Sequence, residues 1–313
     1  MMNQNYKAMN WIQDRRQQLQ DLYSKSRDLN FWVILIPYLW LFVFFLIPVA
    51  VIFKISFASP QISLPPFTEL FVWMDHSLLE VRLNFGNYLT LFKDSFYVKA
   101  LLSSMGISAS ATLGCLLLGY MMAYGIYRSP KRFQTIFLLM VLLPFWTSFL
   151  VRAYAWMSLL GTQGMINNAL IYLGIISSPL VLLDNPYAVT FGIIYCYLPF
   201  MILPIYAVMD KIDPSYTEAA FDLGCTPWKA FWKVTVPLTI PGIVAGCILV
   251  FVPAIGEFVI PELLGGPDTI TIGRTLWWEF FNNRDWPLAC ALAATILVFF
   301  VVPIMWIQRY QKS

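Results

Sequence analysis

Six runs without a single Asp, Glu, Lys or Arg, each 19 to 28 residues long, locate candidate spans in this chain. They are Phe31–Phe53, Ala100–Tyr127, Phe133–Val151, Asn185–Met209, Val234–Gly256 and Trp286–Gln308. About 20 apolar residues in a helix cross the hydrocarbon of a bilayer. Backbone groups in lipid must be satisfied within the segment itself, so each run is read as a helix. Composition agrees: 59% of the 313 residues are hydrophobic and 12% are charged, against about 45–50% and about 25% in a soluble domain. The expected fold is an all-α membrane protein with six spans, at about 31–55, 100–127, 133–159, 186–209, 239–261 and 286–308.

The basic residues orient these spans. With the N-terminus inside, the inner segments hold 13 Lys and Arg against five on the outer side, with Lys54 and Arg152 at span edges. The excess of Lys and Arg on cytoplasmic loops then predicts that both termini are cytoplasmic. Residues 1–30 are too polar for a signal peptide. Trp11, Ile12, Leu19, Leu22 and Tyr23 recur there at helical spacing, which predicts an amphipathic helix on the inner membrane surface. Residues 309–313 form a short cytoplasmic tail.

Two outer segments are long. Ser56–Lys99 carries the turn-rich pieces SLPPF and NFGNY around an amphipathic stretch. Gly161–Asp184 is read as containing a short helix at the outer surface, because a seventh crossing would put the basic C-terminus outside. The five cysteines, at 115, 196, 225, 247 and 290, lack metal-ligand spacing and read as small apolar fillers. The single histidine, His76, stands in a loop with no ligand cluster around it. The net charge of +3 gives no argument for a nucleic-acid partner.

No catalytic motif is present. There is no G-x-S-x-G and no H-E-x-x-H, and the dipeptide Gly-Lys of a phosphate-binding loop does not occur. If the protein moves a solute uphill with ATP, another chain must hydrolyse it. Between the fourth and fifth spans, however, the loop 210–238 is longer than a connection of about 2–8 residues needs to be. Asp213–Pro214 is an N-cap and first-turn pair, and it predicts a helix over Ser215–Leu223 with an apolar strip of Ala219, Ala220 and Leu223. Gly224 stands where a left-handed glycine closes a helix. Thr226–Pro227 caps a second short helix carrying Trp228, Phe231 and Trp232, which Pro237 and Pro241 are expected to end. The loop is therefore read as a docking surface made of two short helices crossed at a glycine.

The stretch EAAFDLGCTPWKAFWKVTVPLTIPG resembles the EAA loop of permease subunits in binding-protein-dependent ABC importers. Glu218, Ala219, Ala220, Gly224, Pro237 and Pro241 occupy that family's positions, and Cys225 stands where a small residue such as Ala is usual. NFGNYLTLFKDSFYVKALLSS and LLPFWTSFLVRAYAWMSLLGTQGMINNAL extend the resemblance over nearly the whole chain. FVPAIGEFVIPELLGGPDTITIGRTLWWEFFNNRDWP is similar to permeases of polyamine importers, most of all the putrescine type. The resemblance implies a type I, MetI-like permease whose coupling helix, with Glu218, Ala219, Ala220, Asp222 and Gly224, sits in a cleft of a cytoplasmic ATPase. It implies no cofactor on this chain, with ATP and Mg on two copies of that ATPase. It also implies a second, related permease chain and a periplasmic binding protein delivering putrescine or spermidine. Another cationic or small organic solute, or a secondary transporter, remains the alternative.

Residue chemistry bears on a cationic cargo independently. Ten carboxylates against five bases lie on the outer side and its borders, and Glu257 falls near the outer end of the fifth span. Glu257 and Glu262, with the ring faces of Trp146, Trp156 and Trp277, are candidates for lining a path for an alkylammonium. Equally, Glu257 pairs with Arg152 or Arg274, and the tryptophans form an interfacial belt.

Overall fold

The computed structural model of the protein describes residues 33–74 and 78–310. The expected amphipathic segment 1–30, His76, and residues 311–313 of the tail lie outside the described residues. The first described element is helix α1 (Val33–Ser56). An antiparallel hairpin follows, β1 (Phe71–Met74) on β2 (Leu78–Val81), in register Phe71 to Val81. Next come α2 (Gly86–Lys93) and the long α3 (Ser95–Arg128). α4 (Lys131–Leu142), α5 (Phe149–Leu160) and α6 (Met165–Tyr172) lead to α7 (Pro186–Met209). α8 (Ser215–Asp222) precedes α9 (Pro227–Ile255), and α10 (Val259–Leu264), α11 (Ile272–Trp277) and α12 (Trp286–Tyr310) complete the chain.

Among the described residues, four helices are long and apolar enough to cross a membrane: α1, α3, α7 and α9. The segment 131–172 supplies a fifth if its bent pair is one span. The sixth charge-free run lies in the 25-residue α12. The described part of the apolar runs is thus mainly helical, and the hairpin is a small departure from an all-α chain. It falls in the polar segment after α1, where strand groups left unpaired by a partner are not forced into lipid.

The third run is not one straight helix. α4 tightens into a 3₁₀ turn over Leu143–Trp146, and the pieces Lys131–Trp146 and Phe149–Tyr172 meet at 87°. The break itself falls at Thr147 and Ser148, whose ψ angles of 151° and 139° are extended, after a turn that contains Pro144. The Pro144 carbonyl is taken by the N–H and hydroxyl of Thr147, at 3.2 and 2.7 Å.

The fifth run departs in the other direction. Pro237 and Pro241 do not separate a short helix from a span; α9 is continuous for 29 residues. A π-turn at Phe231–Thr235 makes this possible. It includes Lys233, whose carbonyl the Pro237 ring would otherwise crowd, and the wider turn relieves that contact.

The core is built where α3, α7 and α9 pack. Lys131 and Asp210, just beyond the C-terminal ends of α3 and α7, are 2.6 Å apart. At the other end the Asp184 N–H donates to the Leu264 carbonyl, at 3.1 Å. α3 and α7 therefore run parallel and α9 runs against them. Met201, Ile202, Ile205 and Val250 are fully buried in one half of this centre, and Val189, Ile193, Ile260 and Leu264 in the other. The backbones of α7 and α9 come so close that a Cβ on Gly242 would lie 2.8 Å from the Pro204 carbonyl oxygen. Small residues permit such approach between helices in lipid, where packing replaces the hydrophobic drive.

Candidate functional site

At the end of the bundle reached by α3 and α7, the loop 210–238 is defined by its caps. Asp213 Oδ1 accepts the Ser215 N–H at 2.9 Å and so opens α8. That N–H stabilises the ionised form and lowers the carboxyl below its ordinary 3.8. At the far end Gly224 has φ +80°, and the N–H groups of Gly224 and Cys225 bond the carbonyls of Phe221 and Ala220, both at 2.9 Å. This pair of bonds closes a helix only when its glycine position is left-handed. The Thr226 hydroxyl then accepts the Lys229 N–H at 3.4 Å and starts α9.

The loop is anchored by few side chains. Phe231 meets Tyr120 and Tyr124 of α3 edge-on at 5.7 and 5.0 Å, and the Tyr120 and Thr239 hydroxyls are 3.0 Å apart. Ala220 and Ala230 are buried. The expected strip of Ala219, Ala220 and Leu223 is not a buried face: Ala219 is exposed and Leu223 is 86% exposed. The reason is that α8 rests on the bundle through Ala220 alone and presents its other sides outward. Glu218, Ala219, Asp222 and Gly224 are all exposed there, beside Tyr216, Phe221, Trp228 and Trp232. Trp228 lies 6.0 Å from Phe231 in a stacked pair, so this apolar ridge is held in a fixed pose.

At the opposite end the carboxylates are placed differently. Glu257 follows α9 directly and is only 9% exposed. It pairs with neither Arg152 nor Arg274. Its Oε2 accepts the Tyr197 hydroxyl at 2.6 Å, and its Oε1 accepts the N–H groups of Val259 and Ile260 at 3.0 and 3.5 Å. It therefore caps α10 and ties α7 to the segment after α9. Arg274 instead takes Glu262, with Nε 2.7 Å from Oε2. Its Nη1 donates to the Gly266 carbonyl at 3.0 Å.

The tryptophans occupy three separate surroundings. Trp146 is 78% exposed at the bend between α4 and α5. Trp156 meets Tyr195 edge-on at 5.4 Å. Trp277 stacks on Phe258 at 4.4 Å and lies 4.1 Å from Phe281. Among the described residues, no ring contact joins the three to one another.

Two participants, Tyr197 and Glu279, were not singled out from the sequence, and a third, Arg152, was named only as a possible partner of Glu257. Tyr197 lies in an uncharged run and carries no local signal. Glu279 is buried, accepting the Tyr97 hydroxyl and the Asn283 amide at 2.8 Å each. Arg152 is also buried, and its Nε and Nη1 have no hydrogen-bond partner among the described residues; its guanidinium lies 5.0 Å from the Phe145 ring. A lone charge inside a greasy run was the visible signal for Arg152, but its burial was not.

The fold matches that of a chain in the crystal structure of a bacterial ABC transporter involved in the import of the acidic polysaccharide alginate. The TM-score is 0.68 at 18% identity, covering 92% of this chain and 96% of that one. The model of the family "Binding-protein-dependent transport system inner membrane component" matches residues 115–312, and the chain belongs to this family of inner-membrane permeases. The spermidine/putrescine transport system permease protein PotB of Escherichia coli is 36% identical over 274 residues, 88% of this chain and 94% of that protein. Its counterpart from Haemophilus influenzae is 36% identical over 273 residues, covering 87% and 91%.

Proposed function

We propose that this chain is the permease subunit of an ATP-driven importer carrying putrescine or spermidine from periplasm to cytoplasm. The observation that carries the cargo is the 36% identity to spermidine/putrescine permeases across 88% of the chain. Its six spans, with both termini cytoplasmic, put the loop 210–238 on the cytoplasmic side, in line with the excess of Lys and Arg there. α8, through Glu218, Ala219, Ala220, Asp222 and Gly224, docks on a separate ATPase, of which two copies bind ATP and Mg. A second, related permease forms the other wall of the path, and a periplasmic binding protein delivers the amine. ATP binding draws the two coupling helices together, and the spans swing between inward- and outward-facing states. This polypeptide makes and breaks no bond.

For the path itself, Glu257 and Glu262 supply negative charge at the periplasmic end, and Trp146, Trp156 and Trp277 supply ring faces for an alkylammonium. The bonds already made by Glu257 and Glu262 support a second role, in which they fix the shape of the mouth and lower the local potential without touching cargo.

The test is reconstitution of the full chain in liposomes with its second permease, its ATPase and its binding protein, followed by labelled putrescine uptake. Uptake is expected only with ATP and all partners. Uptake by this chain alone, driven by a gradient and indifferent to ATP, overturns the reading and favours a secondary transporter. ATP-driven uptake of a different solute in place of either polyamine retains the permease and removes the cargo.

A further inference from the structure

Near the loop end of the bundle, an open apolar groove of about 350 Å³ runs between α3 and α4. Met122, Gly125, Ile126, Phe137, Met140 and Val141 line it, with Ser129 at the turn. Its floor is open for a structural reason: a Cβ on Gly125 would meet no atom within 4 Å. The groove is on the scale of a narrow, flexible hydrocarbon chain.

The mouth of the groove is basic. Arg128 precedes Ser129, and Lys131 and Arg132 follow it. Lys131 is occupied by Asp210, at 2.6 Å. Arg132 is exposed, and its guanidinium lies 4.6 Å over the Phe133 ring, which in turn stands 6.3 Å from the groove residue Phe137. Arg128 is exposed as well. Neither arginine has a carboxylate partner within salt-bridge distance among the described residues. A hydrocarbon slot opening onto two free guanidinium groups matches the two halves of an acidic phospholipid.

We propose that this groove is a binding site for one anionic phospholipid, with an acyl chain between α3 and α4 and the phosphate on Arg128 and Arg132. The site rests on the fold alone and needs neither the polyamine cargo nor the ATPase. Occupancy would brace the turn that Lys131 ties to Asp210, at the foot of the loop carrying α8.

The full chain is purified in detergent, offered equal phosphatidylglycerol and phosphatidylcholine, and bound lipid is counted by native mass spectrometry. One phosphatidylglycerol is expected to be retained in preference to phosphatidylcholine, and inorganic phosphate is expected not to displace it. Arg128→Gln with Arg132→Gln, both at exposed positions, is expected to lower retention roughly 10- to 30-fold. Gly125→Leu, which fills the groove, is expected to lower it with the arginines intact. Equal retention of both lipids, displacement by phosphate, or undiminished retention in the arginine variant overturns the proposal. So does a Gly125→Leu variant that binds the lipid normally but loses a second permease chain, since the groove would then be a subunit interface.

Discussion

Glu218 and Asp222 stand exposed on an eight-residue helix, while at the other end of the bundle Glu257 and Glu279 are buried and each holds a tyrosine hydroxyl. The contrast follows from what each end must do. At the loop end, the Asp213 side chain and the Gly224 closure satisfy the backbone groups, so the side chains of α8 are not needed for that and stand exposed. At the far end the carboxylates themselves do the satisfying, because buried N–H and O–H groups there have no water to turn to. One end is a rigid platform with unspent surface, and the other is a network whose members are committed to one another.

The largest expected effect tests the platform. Gly224→Leu is expected to abolish ATP-driven uptake while leaving insertion intact, because a branched side chain at φ +80° costs about 1–2 kcal/mol and breaks the closing bonds. No neighbouring atom lies within 4 Å of the added Cβ, so the strain is in the backbone and not in crowding. Gly224→Asn, which tolerates the left-handed region, is expected to retain most of the uptake. Equal loss in both variants would show that the conformation is not what matters.

A second experiment presses on the network. Glu257→Ala strands the Tyr197 hydroxyl and two N–H groups, and is expected to lower stability by about 1–3 kcal/mol in detergent unfolding. Glu257→Gln keeps an acceptor, so it is expected to fold well while reducing diamine uptake several-fold. Unchanged uptake at every concentration would make the residue purely structural. Arg152→Met removes a buried cation whose Nε and Nη1 find no acceptor among the described residues, and is expected to leave the melting temperature unchanged or raise it.

The smallest effects come from two aspartates that cap helices at opposite ends. Asp213 is lowered by the Ser215 N–H, whereas Asp285, which caps α12 through the Leu288 N–H at 3.0 Å, is raised mainly by burial and further by Glu279. A lowered carboxyl stabilises the fold above its unfolded value of 3.8, and that contribution is lost as pH falls through the folded value. A raised one costs nothing below 3.8 and weakens the fold as pH rises through its folded value. Asp213→Asn is thus expected to be slightly less stable than the parent at neutral pH, with the gap closing in acid. Asp285→Asn is expected to be neutral or slightly stabilising at neutral pH. Unfolding curves of both variants across pH 3 to 7, on the order of the carboxylate range, check the two signs.

Local chemistry made the loop legible. Asp213, Pro214, Gly224 and Thr226 act within a few residues of themselves, so their spacing predicts the caps that the structure contains. The charge-free runs were legible for a related reason, since lipid forces each to close its own hydrogen bonds. The same local reading failed at Pro144 and Pro237. The segment around Pro144 breaks three residues later, whereas a π-turn precedes Pro237 inside a continuous helix, and the prolines alone do not distinguish these outcomes.

By itself, then, the sequence determined the helical membrane class and the long capped loop. Periodicity, capping and solvent are short-range constraints. Tertiary structure alone decided that Glu257 belongs to Tyr197 across 60 positions, Glu279 to Tyr97 across 182, and Arg274 to Glu262. It also decided that Arg152 is buried, its Nε and Nη1 with no acceptor among the described residues. Pairing in a low-dielectric interior depends on which side chains arrive at the same place, and no periodicity along the chain encodes that arrival.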